Sequence, residues 1–402
     1  LEKLFEILKS VELEGVAIFV FIASFLSTFI LIPKLLGIIH FKNLMDHPDE
    51  RSSHKEKTPT LGGVTFFISI VFALFIIHSF DYDGSALNII MAILILFFVG
   101  LKDDLMVLSA QTKLWAQLIS ISFVLIMPEL WINGFSGFLG IHEVPLLFSI
   151  LMSYFIMVFI INAYNLIDGI DGLAGMLGIL ILGIYAILFY LSGSNFYFLL
   201  SVTGVGFLIA FLRYNLSKNQ RIFMGDTGSL IVGFLIAILT IRFLAMPDAS
   251  YEQIWIKPIN KFLIALSITF FPIVDVIRVI LMRLLNERGP FSPDRCHMHH
   301  ILVDRGLIHK TASITLTICG GIIFLIMYVC NIYLNSWGLT SVFIGIYLLT
   351  FSVLLLLDYD ENASGYRKRF KAIFPRSIQK FEFRIRKKII LLLKKFFYRN
   401  ML

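Results

Sequence analysis

Residues 145–192 read PLLFSILMSYFIMVFIINAYNLIDGIDGLAGMLGILILGIYAILFYLS. Each flank is an apolar run near the roughly 20 residues that a helix needs to cross a bilayer. Between them stand Asn162, Asn165, Asp168 and Asp171, with Gly169 and Gly172. The spacing of the two asparagines puts them near one another on a helix, whereas the glycines break it, so Asp168 and Asp171 are predicted on an irregular turn. Non-helical backbone at membrane depth persists only where it lines a water-filled cavity. A polar helix–helix contact accounts for one Asn, but not for two Asn and two Asp together.

The rest of the chain has the same character, with 58% of its 402 residues hydrophobic and only 15% charged. Apolar stretches at 16–36, 61–79, 86–101, 113–128, 145–164, 173–192, 196–213, 228–246, 257–283, 312–333 and 337–357 predict an all-α polytopic membrane protein of about eleven transmembrane helices. The third is predicted to be short, and the long ninth to be tilted or to extend into the cytoplasm. Alternating segments (34–60, 101–113, 213–227, 283–311 and 359–402) hold 28 of the 34 Lys and Arg. The opposite loops, 80–85, 129–144, 193–195, 247–256 and 334–336, hold none. The positive-inside rule therefore predicts the N terminus outside and the C terminus cytoplasmic. On the outside, INGFSGFLGIHEVP (132–145) reads as a small periplasmic hairpin.

The net charge of +7 does not point to nucleic acid, because residues 359–402 carry 13 basic against 3 acidic residues and the remainder is slightly acidic. Basic residues in that tail alternate with Phe, Ile and Leu, the pattern of a helix on an anionic leaflet. The chain divides into an extracytoplasmic segment (1–15), a transmembrane domain (16–357) and a basic amphipathic cytoplasmic tail (358–402). The first hydrophobic run is long enough to span and lacks a small-residue cleavage site, so no cleavable leader is expected. Three cysteines, two of them (Cys319 and Cys330) in one predicted helix and Cys296 in a loop, make no disulfide framework.

Ionisable residues at membrane depth are costly and mark function. They concentrate in DHPDERSSHKEKTPTLGG (46–63), GLKDDLMVLSAQTK (100–113), NAYNLIDGIDG (162–172), FMGDTGS (223–229) and DRCHMHHILVDRG (294–306), all predicted cytoplasmic. Adjacent Asp103 and Asp104 repel one another unless a cation or proton intervenes, and Lys113 supplies a point charge for phosphate. Hard oxygen donors on the 162–172 turn suit Mg2+ held together with substrate phosphates. Asp226 opens a helix whose N-terminal amides attract phosphate, although Asp-Thr-Gly-Ser is also an ordinary N-cap. His297, His299 and His300 with Cys296 raise zinc, with His40, His47 or His54 completing the site. The alternative, imidazoles and Arg295 arranged around phosphates, is the stronger reading.

Together these motifs resemble the polyprenyl-phosphate N-acetylhexosamine-1-phosphate transferases, in particular the bacterial undecaprenyl-phosphate GlcNAc-1-phosphate type of glycosyltransferase family 4. The likeness covers about residues 16–357. It implies a cytoplasm-facing groove in which a lipid phosphate meets a UDP-sugar, in a bacterial inner membrane, with a homodimer as the family guess. By motif it implies Asn165 and Asp226 as Mg2+ ligands, with Mn2+ as a substitute metal. Asp103 and Asp104 match an aspartate pair read as base, nucleophile or positioning group, and Lys113 a phosphate-contacting lysine. Asp168 and Asp171 are implied at the nucleotide, Phe223 against uracil, and Arg295, His297, His299 and His300 at diphosphate and sugar. Asn162 belongs to the same element, and Arg51 and His54 to the first-loop pattern with Asp46, Pro48, Pro59, Gly62 and Gly63. RCHMHH, rather than three consecutive histidines, favours UDP-GlcNAc over UDP-MurNAc-pentapeptide, with UDP-QuiNAc or UDP-FucNAc as other donors.

The implied reaction is phosphoryl transfer, by direct attack of the lipid phosphate in preference to a two-step aspartyl-phosphate route. A cation-coupled transporter would place its polar sites near the midplane, and an intramembrane zinc hydrolase would carry an HExxH helix, which is absent from the sequence. For the tail, truncation after Tyr359 is expected to lower binding to anionic vesicles, read by co-sedimentation, and to leave turnover intact.

Overall fold

The computed structural model describes residues 12–42, 58–78, 84–285, 287, 289 and 297–358. Among these, all regular structure is helical: α1 (Leu13–Lys42), α2 (Gly63–Ile77), α3 (Ser85–Leu105), α4 (Ala110–Val124), α5 (Leu146–Ile167), α6 (Leu173–Leu191), α7 (Asn195–Asn215), α8 (Gly225–Ala245), α9 (Asp248–Glu252), α10 (Lys261–Ile268), α11 (Phe270–Leu285), α12 (Met298–Asp304), α13 (His309–Tyr333) and α14 (Ser336–Asp358). Each predicted apolar stretch coincides with a helix. Eight of them (α1, α3, α5, α6, α7, α8, α13 and α14) are long and apolar enough to cross a membrane, or nine spans if the bent pair α10–α11 counts as one. The chain is thus a multi-pass membrane protein. The expected shortness lies elsewhere than in the third stretch: α3 has 21 residues, whereas α2 and α4 have 15 each.

The ninth stretch is broken rather than simply tilted, with α10 and α11 meeting at 76°. Pro272 explains the break. It has no N–H to bond the Ile268 carbonyl, and its ring collides with that turn, so one helix ends at Ile268 and the next begins at Phe270.

Helix α8 is the axis of the bundle. It is buried at every residue from Thr227 to Ile241, as befits a helix apolar on all sides, and packs against α2, α3 and α5. Two glycines let α2 and α3 reach its first turn. A Cβ on Gly63 would lie 2.1 Å from the Gly228 nitrogen, and one on Gly100 would lie 2.5 Å from the Thr227 Cα. Small residues of this kind set close helix crossings in membranes. The strand-like segment before α2 is bonded to the entry of α8, with Phe223 N–H donating to Pro59 O (2.8 Å) and Gly62 N–H to Phe223 O (3.0 Å).

At the opposite pole, residues 133–144 close as the predicted hairpin. Phe135 N–H donates to His142 O and Val144 N–H to Asn133 O, both at 3.1 Å. The same pole gathers Glu129, whose Oε1 accepts from Ser85 Oγ (2.8 Å) and Tyr197 OH (2.5 Å). Gly63→Ala is expected to lower stability by about 1–3 kcal/mol through overpacking, read as a fall in Tm of the detergent-solubilised protein.

Candidate active site

Five aspartates converge where α3, α5 and α8 end or begin. Adjacent positions on a helix point about 100° apart, and Asp103 and Asp104 take separate tasks accordingly. Asp104 Oδ1 accepts from the Asp226 N–H (2.7 Å), and its Oδ2 accepts from Thr227 N–H (3.1 Å) and Thr227 Oγ1 (2.5 Å). It caps the first turn of α8 from a neighbouring helix, where a negative charge also meets the positive end of the helix dipole. Asp103 Oδ1 accepts from Leu108 N–H (2.7 Å), and its Oδ2 pairs with Lys113 Nζ at 2.5 Å. The same ammonium pairs with Asp226 Oδ2. Asp226 Oδ1 accepts from Asn165 Nδ2 (2.9 Å), and that amide also donates to Ser229 Oγ (2.7 Å).

Helix α5 ends at Ile167, as the glycines require, and residues 168–172 form the turn. Asp168 accepts no hydrogen bond from any described residue, and the charges that act on it come from Asp226, Asp104 and Asp171. Burial, and then those carboxylates, push its carboxyl up to about 8. Asp171 is paired, by Arg221 Nη2 at 2.5 Å and His309 Nδ1 at 3.1 Å. Asn162 exchanges amide bonds with Gln117 (2.7 and 3.3 Å), tying α5 to α4 one turn from Asn165. Phe223 is half-buried at the entry to α8.

The histidines of α12 also separate. His299 is buried against the turn, its Nε2 lying 2.2 Å from where a Cβ on Gly169 would stand, so only glycine fits there. Burial, then the charge of His300, lowers that imidazole to about 3, which keeps it neutral. The His300 ring lies tilted against it, with ring centroids 4.2 Å apart. His297 Nδ1 lies 2.7 Å from Asp275 Oδ2, and Asp275 in turn pairs with Arg278 at 3.2 Å. Arg51, His54 and Arg295 lie outside the described residues.

The sequence reading did not single out Arg221, His309, Asp275 or Arg278. Arg221 lies in one of the basic segments, where the charge count was the available signal. Asp275 and Arg278 stand at a spacing of three inside an apolar stretch, which is the signature of a pair that neutralises itself within a helix.

The family model described as glycosyl transferase family 4 matches residues 86–244. A probable undecaprenyl-phosphate N-acetylglucosaminyl 1-phosphate transferase of Bacillus subtilis is 30% identical over 360 residues, 87% of this chain and 93% of the relative. The chain belongs to this family. An undecaprenyl-phosphate alpha-N-acetylglucosaminyl 1-phosphate transferase of Yersinia pestis is 28% identical over 312 residues, 76% of this chain and 82% of that one. A decaprenyl-phosphate N-acetylglucosaminephosphotransferase of Mycobacterium tuberculosis is 28% identical over 299 residues, 69% of this chain and 73% of that one. The family region holds the aspartates, Lys113, Asn165 and Phe223, and stops short of the histidines on α12.

The donor set fits a hard divalent cation. Asp226, Asn165 and Asp168, which has no partner among the described residues, offer oxygen atoms in a pole crowded with negative charge. Among the described residues no three His, Cys, Asp or Glu converge as a closed metal cluster. Mg2+ characteristically takes one or two carboxylates and completes its shell with water and substrate phosphates. Asp104→Asn is expected to cost about 1.5–3 kcal/mol, because a charged acceptor of several α8 donors is lost. Asp103→Asn should stay within about 1 kcal/mol of the wild type, since Lys113 keeps Asp226. Thermal melts of the two variants check the division.

Proposed function

We propose that the chain transfers N-acetylglucosamine-1-phosphate from UDP-GlcNAc to a polyprenyl phosphate, undecaprenyl phosphate in a bacterial inner membrane, with the aspartate pole facing the cytoplasm. The observation that carries this reading is Lys113 held between Asp103 and Asp226, beside an aspartate with no partner among the described residues, at the N terminus of the central helix. Such a site attracts phosphates and the cation that accompanies them. The names of the relatives and the one-sided distribution of Lys and Arg support the substrates and the orientation.

An oxygen of the lipid phosphate attacks the sugar-bearing phosphorus of the nucleotide. The bond to the bridging oxygen of UMP breaks, so the products are UMP and polyprenyl-diphosphate-GlcNAc, the first membrane step of a cell-surface glycan. Asp226 and Asn165 would hold Mg2+, which when bound offsets the charge of the two anions. Lys113, between two carboxylates, is placed to turn toward a phosphate oxygen and stabilise charge that builds on the leaving group. The lipid phosphate is mostly ionised near neutral pH and needs little help from a base. Direct attack is favoured because Asp104 is fully engaged by α8 donors and Asp103 by Leu108 and Lys113. Asp103 then aligns Lys113 rather than forming an aspartyl-phosphate.

The test uses purified protein, polyprenyl phosphate and Mg2+ with UDP-GlcNAc, UDP-GalNAc or UDP-MurNAc-pentapeptide, following UMP and the lipid product together. UMP with lipid-diphosphate-GlcNAc is the expected result, lost on chelation and restored by Mg2+ or Mn2+. Asp226→Asn should lower turnover on the order of 100-fold or more while the protein inserts normally. No UMP from any UDP-sugar overturns the proposal.

A further inference from the structure

His297 stands just before α12, and one face of its ring is engaged inside the protein. Asp275, only 2% exposed in the middle of α11, places Oδ2 at 2.7 Å from His297 Nδ1. Its Oδ1 accepts from the Met298 N–H at 2.9 Å and from Arg278 Nη2 at 3.2 Å. One buried carboxylate therefore holds both the imidazole and the first backbone amide of α12, and Arg278 in turn orients the carboxylate. His297 Nε2, by contrast, bonds to no described residue, and the bondless imidazole nitrogen that is sealed from solvent belongs to His299. A carboxylate on one ring nitrogen fixes the tautomer and the rotamer, and so decides which nitrogen is presented to a ligand.

We propose that Asp275 is a positioning residue that acts through His297, fixing the proton on Nδ1 so that the bare Nε2 is the acceptor offered to a hydroxyl of the sugar nucleotide. This rests on the transferase reading above. It differs from a purely structural role, in which Asp275 would serve only to start α12 through Met298. Asp275, 2% exposed and with both oxygens engaged inside the protein, is not open to a substrate. Its effect on turnover must therefore run through the imidazole, and removing the imidazole first should leave it little further effect.

The experiment is a double-mutant cycle on the full chain in lipid nanodiscs, with kcat and KM for UDP-GlcNAc measured for wild type, Asp275→Asn, His297→Gln and the double variant. Asp275→Asn is expected to lower kcat about 10–100-fold, with KM changed little, and the double variant should be no slower than His297→Gln. Losses that multiply would overturn the inference and leave a structural cap, as would full activity of His297→Gln. Because Asp275→Asn leaves Arg278 without its carboxylate and can fail to fold, a second measurement uses the wild type. Nitrogen-15 histidine spectra, taken at a pH where the ring is neutral and assigned with His297→Gln, should show His297 protonated on Nδ1. Protonation on Nε2 overturns the inference whatever the turnover shows, whereas absence of turnover with every UDP-sugar sinks the transferase reading and leaves this tautomer result standing.

Discussion

Asp103, Asp104, Asp168, Asp171 and Asp226 crowd one end of a bundle whose remaining surface is largely apolar, and like charges there repel strongly because little water screens them. The structure meets the repulsion one carboxylate at a time. Backbone amides and a hydroxyl of α8 answer Asp104, one lysine is shared by Asp103 and Asp226, and Arg221 with His309 answers Asp171. Each answer comes from a different helix or connection, so the charges themselves tie α3, α4, α5, α8 and α13 together at this pole. Asp168 alone remains without a partner among the described residues, which leaves the pole incomplete until a cation or its phosphate complex arrives.

That arrangement depends on how closely helices approach. Asp104 reaches the α8 amides only because α3 crosses α8 at backbone contact, and Gly100 permits it. Gly63 does the same for α2, which carries the loop preceding it onto Phe223 and the entry of α8. Packing in a membrane gains little from hydrophobic burial between helices, so close van der Waals contact and buried hydrogen bonds carry the association. The catalytic geometry and the stability of the bundle thus rest on the same crossing. Gly169 extends the pattern to the far side of the site, where its missing side chain admits His299 and seats α12 against the turn.

The helices were legible in the sequence because apolar length is a direct physical requirement for crossing a bilayer, and the loop motifs because polar groups stand out against such a background. Interior chemistry was less visible. Asp275 and Arg278 lie within a stretch that reads as one span, and nothing local reveals that their carboxylate also reaches a histidine 22 positions away. The 76° bend did have a local signal in Pro272, since a proline near the start of a helix is ordinary and one in the middle of a span is not. Asp103 and Asp104 read as one pair because sequence spacing gives their neighbourhood but not the direction of each carboxylate. Asn162 read as a neighbour of Asn165 on the helix, at the substrate, yet its amide is engaged by Gln117, a residue of α4 that carried no motif.

The distance between the two poles bears on what kind of machine the bundle can be. From Leu230 to Leu239, α8 offers only buried apolar side chains and one glycine, a plug about 15 Å long at 1.5 Å per residue. Beyond it, Glu129 is bonded by Ser85 and Tyr197, and Arg242 lies over the Tyr197 ring at 5.3 Å. A transporter needs polar sites near the midplane and access from both sides. Along α8 the polar groups divide into the aspartate pole and the pole of Glu129 and Arg242, with an apolar axis between them. Such a bundle suits chemistry on two phosphates that meet at one membrane face, because the lipid acceptor is delivered laterally and the nucleotide donor and product never have to cross.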